Sequence, residues 1–285
     1  MTSYLNLGCG SRYHPTWTNI DFVSSGAGVI VHNLTMGIPF PKASCDVVYH
    51  SHLLEHFSKN TSVSFLRECH RVLVPGGIIR IAVPDLESIA KTYLHALNNA
   101  AGGEKEWAAH YEWMLLEMYD QTVRNISGGA MAEYLMQQDV INEEFIFNRC
   151  GVEVRKLREI ARSRHADSSS IDSPGSTESL HIVKNVLARV KRLPMFAREL
   201  ILKKLLGAEY EALKIGRFRL SGEVHKWMYD RYSLRCLLAS CGFVKIVQRS
   251  SLESYIPNWA SYNLDTEPDG SIYKPDSIYM EAIKQ

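Results

Sequence analysis

The chain has no dominant charge. Its 32 lysines and arginines are balanced by 31 aspartates and glutamates over 285 residues, a formal net of +1. So even a balance sets up no global field, and nucleic acid is not expected as the main partner. No apolar run is long enough to cross a bilayer, and no basic-then-apolar leader precedes Leu5. A cytoplasmic protein is expected. The six cysteines (Cys9, Cys45, Cys69, Cys150, Cys236 and Cys241) lack the paired spacing of a zinc site. They read as small buried hydrophobes or incidental thiols rather than a disulfide frame. The chain also lacks an internal repeat, and its first glycine loop lacks the third glycine of a dinucleotide fingerprint, which disfavours a nicotinamide or flavin enzyme.

What is present begins at Tyr4-Leu5-Asn6-Leu7-Gly8-Cys9-Gly10, followed by Thr18-Asn19-Ile20-Asp21-Phe22. An apolar run ending in Gly-x-Gly, then a second run closing on a carboxylate, is how a parallel sheet presents a nucleoside site. The glycines allow a sharp turn and close backbone approach, and the acid can accept both ribose hydroxyl hydrogens. Apolar runs near 3–8, 17–22, 28–33, 45–50 and 77–83 read as parallel strands. A helix capped by Thr61 or Ser62 and stopped by Pro75-Gly76-Gly77 lies between the last two, and another follows Asp85. Gly10 to Trp17 and Phe22 to Gly28 are too short for helical crossovers, so one face of the sheet should be left bare by its own connections. The long insertion or a second subunit, as a homo-oligomer, is expected to cover it.

Further along, Cys45 to Ser51, Leu53-Leu54-Glu55-His56-Phe57 and Arg71-Val72-Leu73-Val74-Pro75-Gly76-Gly77 complete a set. With the Leu-Gly-Cys-Gly loop, over residues 4 to 85, these pieces resemble class I S-adenosylmethionine-dependent methyltransferases, in particular the small-molecule "type 11" group. The resemblance implies an α/β, Rossmann-like seven-stranded sheet, here with shortened first crossovers and a helical insertion. Residues 1–94 and 216–285 would form the core. Residues 95–215 would be a helical insertion or cap, with a mobile Ser-rich linker near 163–179. Phe243–Val247 and Ser277–Ala282 would be the closing antiparallel pair, preceded by a helix with Leu234, Leu237, Leu238 and Cys241 on one face and Gly242 as its stop.

S-adenosyl-L-methionine is the implied cofactor. Leu7, Gly8, Cys9 and Gly10 would meet it through the loop, Asp21 through the ribose, and Phe22 by stacking on adenine. The family's third strand often ends in Asp-Leu, whose carboxylate accepts from the adenine amine; here Asn33-Leu34 stands there, and an amide oxygen can accept the same bond without charge. His50 and Ser51 would line the cofactor and His52 would face the substrate. His56 is read as a packed histidine, and no metal is expected, since no carboxylate or cysteine completes a ligand set with His52 and His56. Asp85 is either a cleft-facing acid or the N-cap of the next helix. His225, in Gly222 to Asp230, is a general base or a substrate contact.

The implied reaction is methyl transfer to a small-molecule or glycan hydroxyl, or an amine, with polysaccharide assembly suggested by analogy. The alternative is a non-catalytic methyltransferase-like scaffold that binds a protein through its insertion. Between Ile182 and Leu206, basic residues such as Lys184, Arg192 and Lys203 alternate with apolar ones, around Pro194. That stretch either contacts an anionic membrane surface or packs on the core.

Overall fold

A computed structural model describes residues 3–169 and 197–285. Five runs form parallel strands, the central ones buried on both faces: β1 (Tyr4–Leu7), β2 (Thr18–Asp21), β3 (Val29–Val31), β4 (Cys45–Ser51) and β5 (Leu73–Pro84). Between β4 and β5 runs α1 (Lys59–Val72), its first turn capped by Ser58, whose hydroxyl accepts from the Thr61 amide at 3.2 Å. The cap is thus Ser58 and not Thr61 or Ser62. Ser62 is buried one turn later, where its hydroxyl accepts from Tyr229 at 2.9 Å. Pro75-Gly76-Gly77 does not follow α1 as a loop. It lies inside β5 as a register irregularity, with Cys45 opposite Leu73 and Val47 opposite Ile78.

After β5 come α2 (Leu86–Ala101), α3 (Lys105–Val123), α4 (Gly129–Leu135), α5 (Glu143–Cys150) and α6 (Val152–Ser169). Residues 163–169, expected to begin a linker, are helical. The rest of that linker and residues 182–196 of the basic stretch lie outside the described residues. Residues 197–206 (α7) are helical, with Leu200, Ile201 and Leu205 exposed. Then follow α8 (Glu209–Arg219), α9 (Arg231–Ser240), β6 (Phe243–Arg249) and β7 (Ser277–Lys284). The α9 start is a reciprocal cap: the Asp230 carboxylate accepts from the Tyr232 and Ser233 amides while Ser233 Oγ accepts from the Asp230 amide.

The strands form one seven-stranded sheet in the order β3-β2-β1-β4-β5-β7-β6, with β7 antiparallel to both neighbours. This is the α/β, Rossmann-like architecture expected. The β1–β2 and β2–β3 connections contain no helix. The face carrying Leu5, Leu7, Ile20, Val48 and Ile81 is covered by α1 and α9 through Phe65, Leu66, Cys69, Leu234 and Leu238.

The opposite face is covered differently from expectation. Trp17, Val47 and Tyr49 pack against Ile256, Trp259 and Leu264, all from the irregular segment between β6 and β7. Neither the insertion nor a second subunit is needed for this cover. Arg80, fully buried on β5, holds it by donating to Asp265 Oδ2 at 2.8 Å and to the carbonyls of Glu253 and Ser250 at 2.9 and 2.8 Å. The insertion builds its own core, in which Ile89 and Ala96 of α2 meet Trp113, Met114, Leu135, Ile146 and Val154. Among the described residues no helix is long and apolar enough to cross a membrane.

Candidate functional site

The site grows from the carboxyl ends of β1, β2 and β4, the edge where open parallel sheets gather ligands. Leaving β1, the backbone enters the left-handed region at Gly8 (φ 64°) and Gly10 (φ 53°). That turn brings the Gly8 amide to the Ile20 carbonyl at 2.8 Å and the Gly10 amide to Asp21 Oδ2 at 2.7 Å. At Gly8 a Cβ would stand 2.8 Å from Leu53 Cδ1, whereas at Gly10 it would meet nothing within 4 Å. One glycine is therefore required by packing and the other opens onto space.

That space is a cleft of about 600 Å³ whose walls include Gly8, Gly10, Asp21, Phe22, Asn33 and Leu34, with His52, His56 and Lys226 beyond them. Phe22 is 64% exposed, a large apolar ring left uncovered at the cleft wall. Two smaller chambers adjoin. One, of about 160 Å³, is bounded by Cys9, Arg12, Ser51 and Tyr273. The other, of about 210 Å³, lies toward the insertion between Gln121, Arg124, Met131, Glu153, Lys274 and Asp276. His52 borders all three. It sits in the left-handed region (φ 49°), rare for a residue with a Cβ, and its Nε2 is 2.8 Å from Ser277 Oγ.

The remaining expected residues divide by strand parity. Ser51 borders the cleft region, but His50 points to the other face of the sheet, where it is fully buried edge-on to Phe65. His50 therefore does not line the cleft. Burial depresses its pKa to about 4, so the ring is neutral. Leu7 is likewise a core side chain and can offer the cleft only its backbone. Cys9 borders the smaller chamber, and burial together with the Asp21 carboxylate pushes its thiol up to about 11, which makes it inert as a nucleophile. Asn33 borders the cleft, but its carbonyl oxygen already accepts from the Thr35 amide at 3.0 Å and the Thr35 hydroxyl at 2.7 Å. The acceptor role expected of it is taken locally, because Asn33 caps the short 3-10 turn Leu34–Met36.

Of the two roles open to Asp85, the structure shows the N-cap and not the cleft-facing catalytic acid. Its carboxylate accepts from the Glu87 amide at 3.0 Å and caps α2, and it lies in a shallow depression with Ser88, Lys91 and Arg231, apart from the glycine loop. Burial raises its pKa, with the helix amides opposing.

His225 is buried, only 6% exposed, and borders none of the three cavities; instead it faces Glu55 and His56. Burial outweighs the pull of Glu55 and lowers its pKa to about 3. Glu55, the middle residue of the Leu-Glu-His motif, carries no signal of its own in the sequence. It is fully buried, with His52 Nδ1 at 3.3 Å, an ion-pair distance without hydrogen-bond geometry. Burial alone would raise its pKa, but His52, His225 and His56 hold it at about 2.

Residues 5–81 match a family model described as a methyltransferase domain. No curated protein matches the chain. Among solved structures the chain is similar to an S-adenosylmethionine-dependent methyltransferase from Mesorhizobium loti, at 18% identity over 29% of this chain and 47% of that one, with a TM-score of 0.24. It is also similar to a SAM-dependent methyltransferase from Aquifex aeolicus, at 17% identity over 30% of this chain and 57% of that one (TM-score 0.25). A third, a SAM-dependent methyltransferase from Archaeoglobus fulgidus, is 11% identical over 99% of this chain and 86% of that one (TM-score 0.38). The chain spans about half the length of the first of these.

Proposed function

We propose that this protein is an S-adenosylmethionine-dependent methyltransferase acting on an oxygen or nitrogen of a small polar molecule. The observation that carries the reading is the join between the Gly8-Cys9-Gly10 turn and Asp21, opening on the cleft beside Phe22. The fit to a nucleoside cofactor is physical. A side chain at Gly10 would protrude into the cleft, Asp21 keeps lone pairs beyond those it gives to Gly10 and Val23, and Phe22 offers an uncovered ring face. When bound, the cofactor supplies a sulfonium methyl that is already activated, so the protein need chiefly orient an acceptor and keep water away.

In this reading Asp21 accepts from the ribose hydroxyls, Phe22 lies against the base, and Asn33 offers its amide nitrogen as a donor. The acceptor occupies the chamber between core and insertion. Arg124, Lys274 and Gln121 offer donors there, and Glu153 and Asp276 offer acceptors. A mixed wall of that kind suits a polyol, which makes a glycan hydroxyl the finer reading of the acceptor. His52, at the junction of the chambers and anchored by Ser277, would hold the acceptor atom in line.

Titration calorimetry with S-adenosylhomocysteine tests the reading. Wild type should bind, and Asp21→Asn should lose about 1–3 kcal/mol, a factor of roughly 5–150 in Kd. No binding by wild type, or equal affinity in the variant, would refute it. Binding without turnover on any polyol or amine tried would favour the non-catalytic scaffold.

A further inference from the structure

Two segments distant in sequence meet behind the cofactor cleft. The turn after β4 contributes Glu55 and His56. The segment after α8 contributes His225, held in place by its amide to the Gln121 carbonyl at 2.9 Å and by the Lys226 amide to the Glu55 carbonyl at 2.7 Å. Glu55, His56 and His225 each bring a donor atom to within 4.8 Å of the others. The His56 and His225 rings stand nearly perpendicular with centroids 4.8 Å apart.

The hydrogen bonding around this cluster is incomplete. Both carboxylate oxygens of Glu55 and Nδ1 of His56 are buried without a hydrogen-bond partner. A fully buried carboxylate so placed is costly, by several kcal/mol for the ion alone, unless a cation compensates it. His52 Nδ1 lies at ion-pair distance, 3.3 Å from Glu55 Oε1, but makes no hydrogen bond to it, and its Nε2 is engaged by Ser277, so both carboxylate oxygens keep their lone pairs for an ion. The His56 ring, for its part, stands edge-on to His225, with its Nδ1 buried and unpartnered.

We propose that Glu55, His56 and His225 bind a divalent transition-metal ion of the zinc type, clamping the 223–228 segment to the turn after β4 beneath the cleft. Two imidazoles and one carboxylate, with no thiolate, form a donor set for Zn²⁺ or Co²⁺ rather than for Mg²⁺ or Ca²⁺. Metal–ligand distances of about 2.0–2.2 Å put neighbouring donors near 3.3–3.5 Å apart in a tetrahedron, so the side chains close by about 1 Å on loading. Three protein ligands leave the fourth position to water, and the ion reaches the site from the cleft that His56 borders. A second cluster of donors, Glu117, Cys150 and Asp276, makes no comparable claim, because Arg149 and Trp113 already satisfy the Glu117 carboxylate. Nothing in this inference depends on the identity of the cofactor or of the methyl acceptor.

The test uses the full chain, stripped with a chelator and titrated with Co²⁺, followed by visible absorption and then by competition with Zn²⁺. One Co²⁺ per chain with ligand-field bands, displaced by one Zn²⁺, is expected, together with a higher melting temperature on loading. His56→Ala, His225→Ala and Glu55→Gln should each weaken binding by at least about 100-fold, while His110→Ala, in the insertion, leaves it unchanged. No stoichiometric binding by wild type overturns the proposal, as does wild-type affinity in the two histidine variants. Should Glu55→Gln fail to fold, the wild type and the histidine variants still decide.

Discussion

Arg80→Met should unlatch the 250–266 segment from the sheet face that it covers. In the native protein the guanidinium is fully buried, shared between Asp265 at 2.8 Å and Glu281 at 2.9 Å, and set over the Trp259 ring at 4.4 Å. Burial pushes the Asp265 carboxyl up in pKa and Arg80 opposes that rise. Removing the cation leaves two buried carboxylates facing each other across the vacated volume, a loss of about 3–5 kcal/mol. The carbonyls of Ser250 and Glu253 lose their donors too, although water can reach them as the segment loosens, so their costs do not simply add. Against a typical total of about 5–15 kcal/mol this is a large fraction, equivalent to a fall of roughly 6–20 °C in melting temperature.

Urea unfolding gives the magnitude, and hydrogen exchange gives the place: amides of residues 250–266 should exchange faster while those of β1 and β4 change less. A triple variant, Arg80→Met with Asp265→Asn and Glu281→Gln, should recover more than half of the loss, because it removes the stranded charges and keeps an acceptor for the Tyr49 hydroxyl, which donates to Asp265 at 2.6 Å. A single-variant cost below about 1 kcal/mol, or a triple variant no better than the single, would refute the latch.

His50 should make the fold acid-sensitive. Its folded pKa of about 4 lies below the ordinary value of 6.5, so between these pH values the unfolded chain takes up a proton that the native one refuses; stability is complete above pH 6.5 and falls as the pH drops toward 4, by up to about 3 kcal/mol. His50→Leu should flatten that slope in melting curves at pH 7.5 and 5, and an unchanged slope would place the acid sensitivity elsewhere. Gly8→Ala should cost about 1–2 kcal/mol in stability and also weaken S-adenosylhomocysteine binding, since its Cβ meets Leu53 in a left-handed backbone; a variant with native melting and native affinity would contradict the geometry. Asp85→Ala should lose about 1 kcal/mol from an uncapped α2 with cofactor affinity intact, and a selective loss of affinity in calorimetry would return Asp85 to the cleft.

The sheet was legible because each strand carries its own signal. β1 ends at a glycine, β2 closes on a carboxylate and β4 carries the apolar run Val47-Val48-Tyr49, and the shortness of the 10–17 and 22–28 connections correctly implied crossovers without helices. What covers the resulting bare face was not legible. Ile256, Trp259 and Leu264 lie in an irregular segment with no period, and they pack because Arg80 gathers carbonyls and Asp265 from residues 170–185 positions away. The start of α1 shows a smaller failure of the same kind. Ser58, Thr61 and Ser62 are all plausible caps by residue type, and only the local path of the chain decides that Ser58 caps while Ser62 turns inward to Tyr229.

The residues around the cleft divide along similar lines. Gly8, Gly10 and Asp21 could be placed from sequence because a turn and a strand end are local objects. His50 was misplaced although the information was present: along β4 alternate side chains take opposite faces, so His50 cannot share the orientation of Tyr49 and Ser51. Asn33 was misread because its carbonyl oxygen had a nearer partner in Thr35 than any ligand could be. Glu55 is the instructive omission. The carboxylate that the metal reading wanted stands beside His56 in the sequence, and what the local stretch lacks is the third donor. Folding supplies that donor as a second imidazole from 169 positions beyond His56, joined by backbone hydrogen bonds from Lys226 and Trp227 to the Glu55 carbonyl. Those bonds hold His225 against Glu55 whether or not an ion is bound, so the donor set is assembled by the fold before any metal arrives, and its three unpartnered atoms give an ion something to bind.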